Sequence, residues 1–224
     1  MSFLLASRER TGGLAGILAG LTFLFGMVFY LAFLTQIQFG NLSADITSQL
    51  IYLQEHSSFL YTWYFVIYLV FGFALLTMQF GLSALLPGTA LSRAASLVAF
   101  LWVALVIAAG LVATVGHDMV ITLADVHPEL APQAFVSLHV VINGLGGGNE
   151  LVGGVWLILV FCAARQRQSL PEAIQWGALV VGMAGTATAL PQLSGFGAAF
   201  GLGGILWFVA TGMHLAFNGA GHTS

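Results

Sequence analysis

Six stretches of this chain run for about 20 residues or longer with almost no charge: about 12–34, 58–86, 92–115, 133–163, 172–190 and 196–217. Crossing ~30 Å of hydrocarbon takes roughly 20 apolar residues in a helix, against about 10 in a barrel strand. Lipid offers the backbone no hydrogen-bond partner, so runs of this length must be helices. The expected fold is all-α, a polytopic transmembrane bundle of six helices forming one domain over residues 1–224. Only 6% of the residues are charged and 59% are hydrophobic, whereas soluble domains carry roughly 25% charged residues. A soluble globular fold is excluded. So is a nucleic-acid reader, which needs a basic patch to meet phosphate.

Orientation follows from the arginines. Arg8, Arg10, Arg165 and Arg167 fall in the segments 1–11 and 164–171, and Arg93 lies just inside the third run. With both termini in the cytoplasm, all five sit at the inner side, as positively charged loops prefer. The loops 35–57 and 116–132 then face outward, carrying acids but no Arg or Lys. The run 12–34 exceeds the ~7–15 residues of a signal-peptide core, so it is expected to stay as the first span. In 41-NLSADITSQLIYLQEH-56, Ile46, Leu50 and Leu53 recur at helical spacing, which suggests a short interfacial helix in the first outer loop. Tyr61, Trp63, Tyr64 and Trp176 read as interfacial anchors. Pro171 opens the fifth span and Pro191 ends it. The glycine patterns of the first and fourth runs hint faintly at an inverted repeat.

The stretch 137-SLHVVINGLGGGNELVGG-154 breaks the apolar rule. On one continuous helix, at ~100° per residue, His139, Asn143, Gly146 and Glu150 share a narrow stripe. A charge at mid-bilayer costs at least about 2.5 kcal/mol. Glu150 therefore has to be protonated, meet a donor or face a water-filled cavity, and the stripe has to face the bundle interior. Gly146, Gly147 and Gly148 serve close helix packing or a soft point in the helix. Gln79 and His214 are the nearest polar groups by depth, and a Glu150–His214 contact would suit a proton relay.

Histidines gather on the outer side. His56, His117 and His127 sit beside Glu55, Asp118 and Glu129, chemistry that a transition metal accepts, with His56, His117 and Asp118 as the candidate ligands. His117 with His139 is the pair that would clamp a haem. No HxxxH or HExxH spacing is present, and no Ser/His/Asp set or nucleotide-binding loop is recognisable. The single cysteine, Cys162, allows no internal disulfide.

The C-terminal half, through 151-LVGGVWLILVFCAARQRQSLPEAIQWGALVVG-182 and 203-GGILWFVATGMHLAF-217, resembles a bacterial family of small six-helix integral membrane proteins of unknown function. The resemblance implies six helices and carries over no catalytic residue. The expected location is a cell membrane, the bacterial inner membrane. Three readings follow. The first is a binder or carrier of a small apolar or weakly polar molecule, or of protons, using His139, Asn143, Asn149 and Glu150 with help from Gln79 and His214. The second is a haem- or metal-binding redox protein. The third is an accessory subunit, in contact with lipid and packed against a membrane partner or a second copy. None of these requires an enzyme.

Overall fold

The computed structural model describes residues 2–86, 88–146 and 149–218, and no strand occurs among them. The helices are α1 (Ser2–Phe29), α2 (Ile46–Tyr64), α3 (Phe71–Leu85), α4 (Ala90–Val126), α5 (Ala131–Gly146), α6 (Asn149–Arg167), α7 (Glu172–Ala187) and α8 (Phe196–Asn218). A π-helical turn, Tyr30–Leu34, extends α1, and another, Phe65–Val70, joins α2 to α3. Five helical stretches are long and apolar enough to cross a membrane: Ser7–Leu34, Ile46–Leu85, Ala90–Val126, Ala131–Gln166 and Phe196–Phe217. The helix α7, at 16 residues, falls just short of the roughly 17–25 residues of an ordinary span. It is held between α6 and α8.

Bare backbone brings the helices together at one end. A Cβ added to Gly12 would lie 2.6 Å from the Gly81 Cα, and one added to Gly212 would lie 2.6 Å from the Ile17 nitrogen. Close approach through small residues gives dispersion contact where lipid supplies no hydrophobic drive. These contacts set the start of α1 beside the ends of α3 and α8, so the arginine-bearing end of the bundle is a single end. Trp176 is exposed there, near Glu172 and Arg165, as an interfacial anchor would be.

The bundle has two storeys because α4 is too long for one. Its 37 residues span about 55 Å at ~1.5 Å per residue, well beyond the ~30 Å of hydrocarbon. The storey at the arginine end is a core of α1, α3, α6, α7, α8 and the first half of α4, centred on Trp102, Trp156 and Phe208. The far storey joins the end of α1, α2, α5 and the second half of α4 around Leu53, Leu60, Phe135 and Ile142.

The expected run 133–163 is covered by α5 and α6, on either side of Gly147 and Gly148, which lie outside the described residues, and Ala131–Gln166 counts as one candidate span. Both helices follow α4 antiparallel in one register. Gly116 and His117 meet Leu138 and His139, while Trp102 meets Gly153. One expectation needs correction here: the outer-loop helix exists, but it is not separate. It begins at Asp45, whose carboxylate caps the Thr47 amide at 3.0 Å, and continues through a kink at His56 into α3. The Ser48 hydroxyl and the Thr47 amide hold the Asp45 carboxyl below the usual carboxylate range, since both bonds favour the charged form. Leu50 and Leu53 of that helix are buried against the far core.

Candidate functional site

Two compartments lie along the inner faces of α5 and α6. The first sits where the two storeys meet. It is a half-enclosed cavity of about 510 Å³, with walls from five helical stretches. Phe23 and Met27 come from α1, Trp63 and Tyr68 from α2 and its π-helical turn, Trp102 from α4, and Phe200 from α8. Asn149 and Glu150, on the first turn of α6, supply the polar wall. Glu150 Oε2 and Asn149 Oδ1 are buried with no hydrogen-bond partner. Polar atoms buried without a partner are rare and mark an unfilled site, strain or a missing water. The volume falls within the ~300–1,000 Å³ of small-molecule sites.

The second compartment, of about 310 Å³, is lined by Phe39, Asn41, Tyr64, His139 and Asn143, and it shares Trp63 and Tyr68 with the first. The loop above it is held by Gln49, which accepts from the Gly40 amide at 2.7 Å and donates to the Asn41 carbonyl at 3.0 Å. Gly40 has φ of +83°, a conformation only glycine adopts without strain. The resulting turn sets Phe39 against both His117 and His139.

The structure brings His117 and His139 together, with ring centroids 5.1 Å apart. They are 0% and 2% exposed. His139 Nδ1 lies 3.1 Å from the Phe135 carbonyl, while its Nε2 and both nitrogens of His117 have no partner of good geometry. Tyr64 stacks on His117 at 5.2 Å, and Tyr68 stacks on Tyr64 at 5.8 Å. The π-helical turn between α2 and α3 carries Tyr68, and such turns recur at functional sites. A ladder of ionisable rings thus runs from His139 through His117, Tyr64 and Tyr68 to the wall that holds Glu150.

Axial ligation of a haem by this pair needs a slot for the macrocycle between the rings. Phe39, Phe135 and Tyr64 pack around rings already in contact, so that slot is absent. The proposed ligand set of His56, His117 and Asp118 is not assembled either. Among the described residues no three His, Cys, Asp or Glu side chains gather as a metal site. His56 is exposed and stacks on Tyr52 at 4.2 Å, and His127 pairs at the surface with Glu129 at 3.4 Å.

The remaining polar candidates separate from Glu150. Gln79 is fully buried toward the arginine end, where its Oε1 accepts from Trp156 Nε1 at 2.9 Å and its Nε2 donates to Ser83 and Ser96. Glu150 lies beside Gly197 at the opposite end of α8 from His214. Those 17 residues of helix separate the two by about 25 Å, so there is no Glu150–His214 contact. Trp63 and Tyr64, read from sequence as surface anchors, are walls of the compartments instead. Trp63 donates to the Gly26 carbonyl at 3.3 Å, and Tyr64 is 3% exposed.

His117 yields a prediction of unusual sign. Replacing a buried, unpaired polar group by an apolar one of similar size is neutral or stabilising. His117→Leu should leave stability unchanged or raise it by about 1 kcal/mol, read as a melting shift in detergent. A clear loss of stability would mean that the imidazole is paired, by a bound species or by the Ala113 carbonyl one turn earlier.

No family model, curated protein or solved structure matches the chain. The site is therefore read from its own geometry.

Proposed function

We propose that the chain is an integral protein of a cell membrane, with six spans and its arginine-bearing end toward the cytoplasm, that binds a small apolar or weakly polar molecule. A bacterial inner membrane is the setting that the resemblance implies. The site is the cavity of about 510 Å³ between α1, α4, α6 and α8. The observation that carries this reading is the unpaired oxygen of Glu150 at the edge of a wall of aromatic rings. Burying such a group without a partner costs about 1–3 kcal/mol or more, and a ligand with a matching polar group removes that cost.

Titration of the detergent-solubilised protein with 1-naphthol, followed by its own fluorescence, tests the reading. The wild type should show saturable binding of one molecule per chain. Ala198 lines the cavity, so Ala198→Trp should fill it and abolish that binding. Unsaturable partitioning in the wild type, or unchanged binding in the variant, would remove the proposal.

A second reading, proton transfer between the His117–His139 pair and Glu150, is supported by the ring ladder through Tyr64 and Tyr68. Under it, 1-naphthol binding would be linked to proton exchange, and Glu150→Gln would abolish the pH dependence of the affinity. A pH dependence retained in full by that variant would remove this second reading.

A further inference from the structure

The helices α1 and α8 spread apart away from the arginine-bearing end. A Cβ on Gly13 would lie 2.6 Å from the Gly212 carbonyl oxygen, and one on Gly16 would lie 3.1 Å from the Gly212 Cα. One on Gly20 still comes within 3.2 Å of the Ile205 carbonyl oxygen. Farther along, a Cβ on Gly204 meets only the ring of Phe23, at 3.8 Å, and one on Gly201 meets nothing within 4 Å. The cleft that opens there leads into the cavity, since Gly197, Ala198 and Gly201 of α8 line it opposite Phe23 and Met27 of α1.

The rim of the cleft is apolar and exposed. Leu31 of the α1 extension and Leu202 of α8 line the cavity while 59% and 52% exposed. Val28 and Leu206 flank them at 55% and 73%. A mouth onto water would be bordered by polar groups, as the second compartment is by Asn41 and Asn143. Exposed leucines on two membrane helices instead border lipid.

Resting on the proposed binding function, the geometry points to a lateral portal between α1 and α8 through which a hydroxyl-bearing, bilayer-soluble amphiphile enters and pairs its hydroxyl with Glu150. A hydroxyl both donates and accepts, so it pairs with this side chain whether the carboxyl is ionised or protonated. It also adds no charge to an apolar chamber. The chain of the amphiphile lies along Phe23, Phe200 and Ile205 and leaves through the cleft into the bilayer.

The test uses full-length protein in lipid bilayers with hexadecanol carrying a diazirine in its chain, and with the methyl ether of the same molecule. After photolysis, peptide mapping should place the alcohol on 23–31 and 197–205. The ether lacks the donor and should label those segments about tenfold less, the equivalent of one hydrogen bond. A Cβ at Gly201 meets nothing within 4 Å, so Gly201→Trp sets a large ring in the cleft and should block the portal, leaving only the label on lipid-facing positions such as Leu97 and Leu111. Equal labelling by alcohol and ether would overturn the inference. So would full cavity labelling in Gly201→Trp. If water-borne 1-naphthol binds the wild type saturably while the bilayer-borne alcohol labels only the lipid-facing surface, the portal fails and the binding site stands. Failure of both probes removes the binding site as well.

Discussion

Gly212→Val should cost about 3 kcal/mol or more, seen as a large fall in the melting temperature of the purified protein and in its monodisperse yield. The reason is what the new side chain would strike. A Cβ at position 212 lies 2.6 Å from the Ile17 nitrogen and 2.7 Å from the Gly13 carbonyl oxygen. These are backbone atoms of α1, which cannot rotate aside as a side chain can. Relief requires α1 and α8 to separate, which gives up dispersion contact along their whole seam. Gly154→Val should behave alike, since its Cβ would lie 2.6 Å from the Gly182 carbonyl oxygen. Gly144→Ala is the control. Nothing lies within 4 Å of a Cβ there, and exchanging glycine for alanine within α5 should stabilise the protein by roughly 0.5–1 kcal/mol. Equal melting temperatures for Gly212→Val and the wild type would mean that the α1–α8 seam is not built as described.

Gln79→Ala should be the most damaging of the polar substitutions, by about 3–5 kcal/mol. Two losses combine. The truncation leaves a cavity in a core position that is 0% exposed. It also strands the Trp156 indole N–H, whose acceptor at 2.9 Å is Gln79 Oε1. Trp156 is itself fully buried against Trp102, Trp207 and Phe208, so no water reaches the orphaned donor. Gln79→Glu keeps the acceptor and most of the volume, and should recover a large part of the loss when its carboxyl is protonated. Thermal melting of both variants in detergent checks the pair. If Gln79→Ala melts with the wild type, the Gln79–Trp156 bond contributes nothing to the bundle.

The helices were legible because apolar runs of this length admit no other structure in lipid. The arginine-bearing end was legible too, since Arg8, Arg10, Arg93, Arg165 and Arg167 are the only Lys or Arg residues in the chain. The two-storey packing was not. Hydropathy gives residues 133–163 as one run, and the two cores that α4 joins along its length are invisible in a local pattern. Site residues divide in the same way. His139 and Glu150 stand out as polar groups in apolar surroundings, and the structure puts each on a compartment wall. Phe23, Tyr68, Trp102 and Phe200 could not be singled out, since aromatic residues in an apolar helix are ordinary core residues until their neighbours are known. Gln49 was missed because a glutamine in an outer loop reads as solvated, and only the folded turn at Gly40 shows what it holds. His56 and Asp118 erred the other way: each has a neighbour of the right chemistry in sequence, Glu55 and His117, but both are exposed while His117 is fully buried.

The central claim is that Glu150 supplies the polar contact in an otherwise apolar binding site. Affinities of naphthalene and 1-naphthol, measured on the wild type and on Glu150→Leu, address it most directly, because the two ligands differ only by the hydroxyl. The account predicts that the hydroxyl strengthens binding about tenfold in the wild type and that this advantage vanishes in Glu150→Leu, with naphthalene held at least as well by the variant. An equal hydroxyl advantage in both proteins, or none in the wild type, would contradict it.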